Sequence, residues 1–355
     1  MNRTPDLELA WEGLPRAHGE WVAEGIIRAQ PEDFWVDEVC NFTPDGSGEH
    51  LLVRVEKRNT NTEWVARRMT EVWGVAPAGI SYAGLKDRRA VTRQWFSLHL
   101  PGQPDPDPTL LEDEAIRVLE VVRHGRKLRR GALRENGFRI VLRELHGEPQ
   151  QVEERLHQLQ RLGVPNFFGN QRFGRNGSNL EGAARLFGGA RRRLSRHQRG
   201  LLLSAARSFL FNRVAARRVE LGNWNQWLEG DLMMLDGRGA LFAAEPGDAA
   251  IAQRLLAQEI HPSGPLWGAG VQALSGAAAE LEQQVLGEWP EWGAELARLG
   301  LRHERRALRL RLDRLRWRWL EEGALELSFP LPAGSYATAL LRELVMVREP
   351  VDGDD

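Results

Sequence analysis

An α+β fold is predicted for this chain of 355 residues, with a helix-rich middle set between two strand-rich ends. Three observations carry that reading. Leu52, Val53 and Val55 lie in a partly alternating run near the start. Leu308, Leu310 and Leu312, then Leu325, Leu327 and Phe329, alternate with other residues near the end, the period-two signature of half-buried strands. Between them, Leu201 to Val219 reads as a long helix whose apolar face includes Leu202, Ala205, Phe209 and Ala216. This order predicts an inserted domain. Residues 1–160 and 307–355 would form one sheet domain, and residues 161–306 the insertion.

Taken along the chain, His50 to Lys57 is a strand. Asn61 or Thr62 is placed to cap a helix, because Val65, Met69 and Val72 follow at i, i+4 and i+7. Arg93 to Leu100 and Phe138 to Leu145 read as strands, with Asn136-Gly137 able to turn into the second. Pro101 to Pro108 is a Pro/Asp loop. Val152 to Leu162 is an amphipathic helix that Gly163-Val164-Pro165 ends, a natural boundary. Gly230 to Ala244 reads as a hairpin or small β element, and His261-Pro262-Ser263-Gly264-Pro265 as a rigid loop. Ala277 to Leu299 is helical with a break at Pro290, and Ala337 to Val347 is a final helix.

Hydrophobic residues make up 42% of the chain, which supports a sizeable core and argues against disorder. No apolar run approaches the length that spans a bilayer. Met1 to Asp6 lacks the apolar stretch of a secretory signal, so a cytoplasmic protein without a membrane role is expected. Cys40 is the only cysteine, which excludes an intramolecular disulfide and a Cys-based zinc cluster. The histidines form no HExxH or HxxxH pattern, and no metal or other cofactor is expected.

A net charge of −1 does not advertise a polyanion partner. The cations are almost all arginine, however, and Lys57, Lys86 and Lys127 are the only lysines. Arginine binds phosphate bidentately and stacks on bases. Genomic base composition also accounts for the total, so position says more. Arg123, Arg126, Lys127, Arg129, Arg130 and Arg134 form a run with no acid inside it. Arg191, Arg192, Arg193, Arg196 and Arg199 form another. Two local basic surfaces on a neutral protein suit a polyanion that touches a defined face. No apolar pattern demands a protein partner, and a monomer is expected.

The most informative stretch is Ser81 to Trp95. Asp87 sits there among Lys86, Arg88, Arg89 and Arg93, three residues after Gly84. Basic neighbours favour the charged form of a carboxylate, and a fixed carboxylate can act as nucleophile or base. The same neighbours can bind phosphates. A charged turn of solvated ion pairs has the same composition.

Gly84-Leu85-Lys86-Asp87 followed by Ala90-Val91-Thr92-Arg93-Gln94 resembles the active-site segment of the TruD family of tRNA pseudouridine synthases. Further blocks resemble that family in the same order. They are Ala29 to Phe34 (a Pro-Glu-Asp-Phe motif), Gly48 to Val53, Asn61-Thr62, Asn136-Gly137-Phe138, Val164 to Gly174, Leu203 to Ser208 and Leu331 to Thr338. One Gly-x-Lys-Asp is weak evidence; ordered blocks over nearly the whole chain are strong.

The resemblance implies a pseudouridine synthase catalytic domain on a mixed, mainly antiparallel sheet, carrying a mostly helical TRUD insertion. It implies isomerisation of uridine-13 in the D arm of tRNA, glutamate tRNA in bacteria. Asp87 would be the catalytic carboxylate, and Arg28 would support it. Phe34, Asn136, Phe138 and Tyr336 would hold the uridine. Asparagine can bond the uracil edge or the sugar, while an aromatic ring stacks on a base for about 1–3 kcal/mol. Relatives commonly carry Phe at the place of Tyr336, so the ring matters more than the hydroxyl there. Core packing is the plainer role for Phe34, Phe138 and Tyr336. Asn166 to Gly174 could line an RNA cleft or anchor the insertion. A base in a stacked arm must be flipped out to react.

Attack at C1′, attack at C6 and a glycal route all stay open. Two other classes compete: an RNA-binding protein that helps tRNA fold, and a hydrolase pairing Asp87 with Asp33 or Glu32.

Overall fold

The computed structural model describes residues 4–129, 131–189, 194–245, 247–270 and 274–350. The chain divides into two compact units. One comprises Met1–Trp21, Glu153–Asp313 and Ser335–Leu344; the other comprises Val22–Val152, Arg314–Gly334 and Val345–Asp355.

The second unit is built on a ten-stranded sheet. Its main path runs Arg316–Trp319, Leu325–Pro332, Leu133–His146, Phe34–Cys40, Val91–His99, His50–Arg58, Ile116–His124. Ala23–Ile26 pairs with Leu133–His146 and with Val345–Arg348, and Ile80–Tyr82 pairs with Val91–His99. Two pairings are parallel, Ala23–Ile26 with Val345–Arg348 and Phe34–Cys40 with Val91–His99. The other neighbours are antiparallel, so the sheet is mixed and mainly antiparallel, the fold class the sequence predicts.

The helix Thr62–Trp73 covers one part of this sheet. Val65 and Met69 pack there with Leu51, Val53, Val55, Phe96 and Leu98. Asn61 occupies the N-cap position with extended backbone, but its side chain makes no capping bond. The Thr62 hydroxyl is used elsewhere: it donates to Gln94 Oε1 at 2.8 Å and accepts from the Lys86 N–H at 3.0 Å. Asn136 and Gly137 lie inside the 14-residue strand Leu133–His146 and do not turn into it, because partners on both sides keep the backbone extended there.

The first unit centres on the helix Arg196–Glu220, which Ser195 starts with a capping box to Gln198. Phe209, Leu210, Phe211 and Val214 of this helix are buried with Phe167, Phe173, Trp289 and Trp292. The helices Gly276–Gly287 and Pro290–Arg298 are separate elements, broken as predicted before Pro290. A four-stranded sheet runs Leu241–Ala243, Leu232–Leu235, Ile260–Leu266, Glu304–Ala307. The predicted hairpin is its first pair.

Two further readings are corrected. His261 to Pro265 is not a loop; it lies in the strand Ile260–Leu266. Two prolines argue against an inner strand. Here the Pro262 carbonyl still accepts from the Leu308 N–H at 2.8 Å. Gly264 also lets the backbone close on Phe211: a Cβ there would lie 2.8 Å from Leu308 Cδ2 and 3.1 Å from Phe211 Cε2. The last helix is likewise shorter than predicted. It ends at Leu341, and Val345–Arg348 is a strand beside Ala23–Ile26. Val345 and Val347 suit a strand, and that sheet pairing outweighs the helical spacing of the apolar residues.

Candidate active site

Three adjacent strands build the floor of the site. On Phe34–Cys40 and Leu133–His146, Phe34 lies opposite Ile140, Val36 opposite Phe138 and Glu38 opposite Asn136. On the far side, Phe329 lies opposite Phe138 and Leu331 opposite Asn136. Side chains alternate across a sheet, so Phe34, Asn136, Phe138 and Phe329 share one face. Their rings touch. Phe34 meets Phe138 edge-on at 6.2 Å, and Phe138 stacks on Phe329 at 5.5 Å. Asn136 Oδ1 is buried and has no hydrogen-bond partner among the described residues. A buried acceptor left open is costly unless a ligand fills it.

Arg28 enters this face from the segment after Ala23–Ile26. Its backbone is left-handed, φ 55°, a conformation costing a non-glycine residue about 1–3 kcal/mol. The guanidinium lies 4.2 Å from the Phe34 ring centroid. It pairs with Asp87 at 3.5 Å and with Glu349 at 2.5 Å. The Arg28 side chain is 12% exposed and that of Asp87 38% exposed. A mostly buried cation thus orients a carboxylate that solvent, or a ligand, can reach.

The Asp87 segment is held from several directions. Lys57 Nζ donates to the Asp87 carbonyl at 2.9 Å and to the Thr60 carbonyl at 2.5 Å. Gln94 Nε2 donates to the Gly84 carbonyl at 3.4 Å. Lys86 pairs with Glu38, and Glu38 also accepts from the Trp95 N–H at 3.1 Å.

Three of the basic residues near Asp87 in sequence are drawn to other partners. Lys86 turns to Glu38, Arg93 pairs with Glu56 at 2.7 Å, and Arg89 reaches the Pro350 carbonyl at 3.5 Å. Lys57 is the functional candidate that sequence reasoning missed. Its signal was that it is one of only three lysines in a chain whose other cationic side chains are arginine.

Neither candidate second acid is free. Asp33 is 1% exposed and accepts both Nε and Nη2 of Arg143. Glu32 pairs with Arg58, which holds its carboxyl below the usual range, and it lines a hollow with Trp35, Arg93 and Arg139, side chains of the opposite sheet face. Burial pushes the Cys40 thiol up to about 12, so it supplies no thiolate near neutrality. Among the described residues no group of three or more His, Cys, Asp or Glu could hold a metal ion.

Tyr336 belongs to the other unit. Its hydroxyl accepts from Arg172 Nε at 2.8 Å, and Arg172 Nη1 donates to Ser204 Oγ at 2.9 Å. Its ring meets Phe168 edge-on at 5.8 Å. The hydroxyl therefore has a structural task here. Tyr336→Phe is expected to lower the unfolding free energy by about 1–2 kcal/mol in urea denaturation, from loss of one charge-assisted bond. An unchanged midpoint would show that Ser204 and the two rings beneath the guanidinium hold Arg172 without the Tyr336 hydroxyl.

Of the two basic runs, Arg123 is already committed, bonding Asp105 at 2.6 Å and the carbonyls of Leu100 and Gln103. Arg126, Lys127, Arg129, Arg134, Arg196 and Arg199 are exposed. Arg130, Arg191, Arg192 and Arg193 lie outside the described residues. No helix of the described residues is long and apolar enough to cross a membrane.

Comparison with known proteins gives the family of the chain. The family model described as tRNA pseudouridine synthase D (TruD) matches residues 20–186 and 178–344. A tRNA pseudouridine synthase D of Methylococcus capsulatus is 51% identical over 345 residues, covering 97% of each chain. One of Xanthomonas oryzae pv. oryzae is 49% identical over 348 residues, covering 93% of this chain and 94% of the relative. The crystal structure of a putative tRNA pseudouridine synthase D from Methanosarcina mazei shares the fold, with a TM-score of 0.72 at 22% identity over 95% of this chain and 97% of that one. The chain belongs to the tRNA pseudouridine synthase D (TruD) family, isomerases that act on tRNA.

Proposed function

We propose that this protein isomerises uridine-13 in the D arm of tRNA, with glutamate tRNA as its target, and that Asp87 is the catalytic carboxylate acting on a flipped-out uridine. Residues 1–160 with 307–355 are proposed as the catalytic domain and residues 161–306 as the TRUD insertion. The observation that carries the reading is the Arg28–Asp87 pair at 3.5 Å, with Arg28 over Phe34, whose sheet face also bears Asn136. One carboxylate, one fixed cation, an aromatic wall and an open polar acceptor are what a flipped uracil needs.

The chemistry is economical in groups. The C1′–N1 bond breaks, the uracil turns, a C1′–C5 bond forms, the C5 proton leaves and N1 takes up a proton, so the composition is unchanged. Asp87 can add to C1′, add to C6, or take the 2′ proton; each route begins from its carboxylate. Phe138 would stack against the base, Phe34, which is 2% exposed and covered by Arg28, would back that ring edge-on, and the open Asn136 Oδ1 would accept an N–H or O–H of the uridine. Tyr336 is proposed as a further substrate contact. The enzyme would act in the cytoplasm as a monomer, with no metal or other cofactor.

A transcript of glutamate tRNA carrying tritium at uridine C5 tests the target. Release is expected, with a single new pseudouridine at position 13. A transcript with cytidine at that position should release none. Release that continues from the cytidine transcript would move the target elsewhere.

Arg28→Met is expected to slow single-turnover release on the order of 100-fold while tRNA binding holds. Methionine preserves the contact with Phe34 but leaves Asp87 without its cation. A rate within a few-fold of wild type would remove Arg28 from the mechanism.

A further inference from the structure

We propose that Lys57 is the positioning residue of Asp87: its ammonium ties the Asp87 and Thr60 carbonyls together and so fixes the backbone from which the carboxylate projects toward Arg28. The inference rests on the reading of Asp87 as the catalytic group.

The geometry is unusual for a lysine. The side chain is 0% exposed. It projects from the strand His50–Arg58, where its partners on the flanking strands are Thr92 and Ile116, both uncharged. Its acceptors are two backbone carbonyls, Thr60 at 2.5 Å and Asp87 at 2.9 Å. No carboxylate lies within salt-bridge distance of it among the described residues. Burying an ammonium on such terms carries a large desolvation penalty. A tie between two loops needs only neutral donors, so the charge calls for another explanation. The Asp87 carboxylate is the anion that favours the ammonium, and Lys86 is the cation that opposes it. Asp87 is thus gripped at both ends: Lys57 holds the main chain, and Arg28 holds the carboxylate.

The same burial makes the grip sensitive to pH. It lowers the Lys57 amine from the ordinary 10.5 to about 8, outweighing Asp87. The unfolded chain then binds more protons than the folded one between about pH 8 and about pH 10.5, so this group's share of stability rises with pH in that window. Its charge beside Asp87 is lost over the same range. Activity should fall where this contribution to stability rises, a divergence that a purely structural lysine would not produce.

The test uses the full chain in single-turnover tritium release from the labelled glutamate tRNA transcript, from about pH 6.5 to about pH 9. Wild type, Lys57→Met and Asp87→Asn are compared, with tRNA affinity and melting temperature measured for each. Lys57→Met is expected to lose rate on the order of 100-fold, the scale of a misplacement near 1 Å, with tRNA affinity unchanged. Wild type should lose rate above about pH 8, and Lys57→Met should lack that limb. A Lys57→Met enzyme with wild-type rate and profile, beside an inactive Asp87→Asn, overturns the role of Lys57 alone. Turnover by Asp87→Asn overturns the Asp87 reading and this inference with it. If Lys57→Met does not fold, the wild-type profile decides: a flat rate through about pH 9 overturns the proposal.

Discussion

Asp87→Asn is expected to abolish tritium release from uridine C5, a loss of about 10⁴-fold or more, while tRNA affinity and melting temperature stay near wild type. The substitution keeps the shape and removes the nucleophile or base. Little else changes. Asp87 is partly exposed, so no buried cavity opens. Lys57 bonds its main-chain carbonyl, which asparagine retains. Arg28 keeps Glu349 at 2.5 Å and is not left as an unpaired buried charge. A rate within about tenfold of wild type would exclude Asp87 from the chemistry. Full tRNA affinity in the variant does not by itself make the protein an RNA-binding module. That reading requires wild-type protein that binds tRNA and releases no tritium. A hydrolase would release free uracil and leave an abasic site, which the mass of the RNA reveals.

What the sequence made legible follows from range. The strand Leu325–Pro332 announces itself through alternating burial and the helix Arg196–Glu220 through the spacing of its apolar residues, both local properties. The tail of the chain does not. Val345–Arg348 becomes a strand because Ala23–Ile26, more than 300 residues earlier, offers it an edge. Ile260–Leu266 is a strand in spite of two prolines because both flanking strands and Phe211 close on it. The site divides in the same way. Motif order marks Asp87, Phe34, Asn136 and Phe138 as candidates, and strand register then sets Phe34, Asn136 and Phe138 on one face. The cations at Asp87 could not be read from its neighbours. Arg28 and Lys57 reach it through the fold, while Lys86 and Arg93 are drawn off by Glu38 and Glu56. A local count of charge therefore overstates local electrostatics wherever acids on adjacent strands compete for the same side chains.

Arg218→Met is expected to destabilise the helix-rich unit by about 3–5 kcal/mol, the range for removing one member of a buried ion pair. Arg218 is 2% exposed and Asp231 1% exposed. They meet in a fork, with Nη1 to Oδ1 and Nη2 to Oδ2 both at 2.9 Å. Arg218 also donates to the carbonyls of Asn223 and Gln226, each at 2.9 Å, which ties the end of the helix Arg196–Glu220 to the turn after it. Methionine fills much of the volume but leaves Asp231 with the Leu228 N–H at 2.8 Å and no paired cation. The cost is thus mainly the stranded carboxylate, and a double variant separates the terms. Arg218→Met with Asp231→Leu should recover part of the loss, since an apolar pair can replace a buried ionic one. Recovery should stop short of wild type, because the carbonyls of Asn223 and Gln226 still lack their donor. Urea denaturation of the single and double variants decides the matter. A single-variant loss below about 1 kcal/mol would mean that the pair is solvated in solution. Losses that simply add in the double variant would mean that the fork carries no coupling between its two ends.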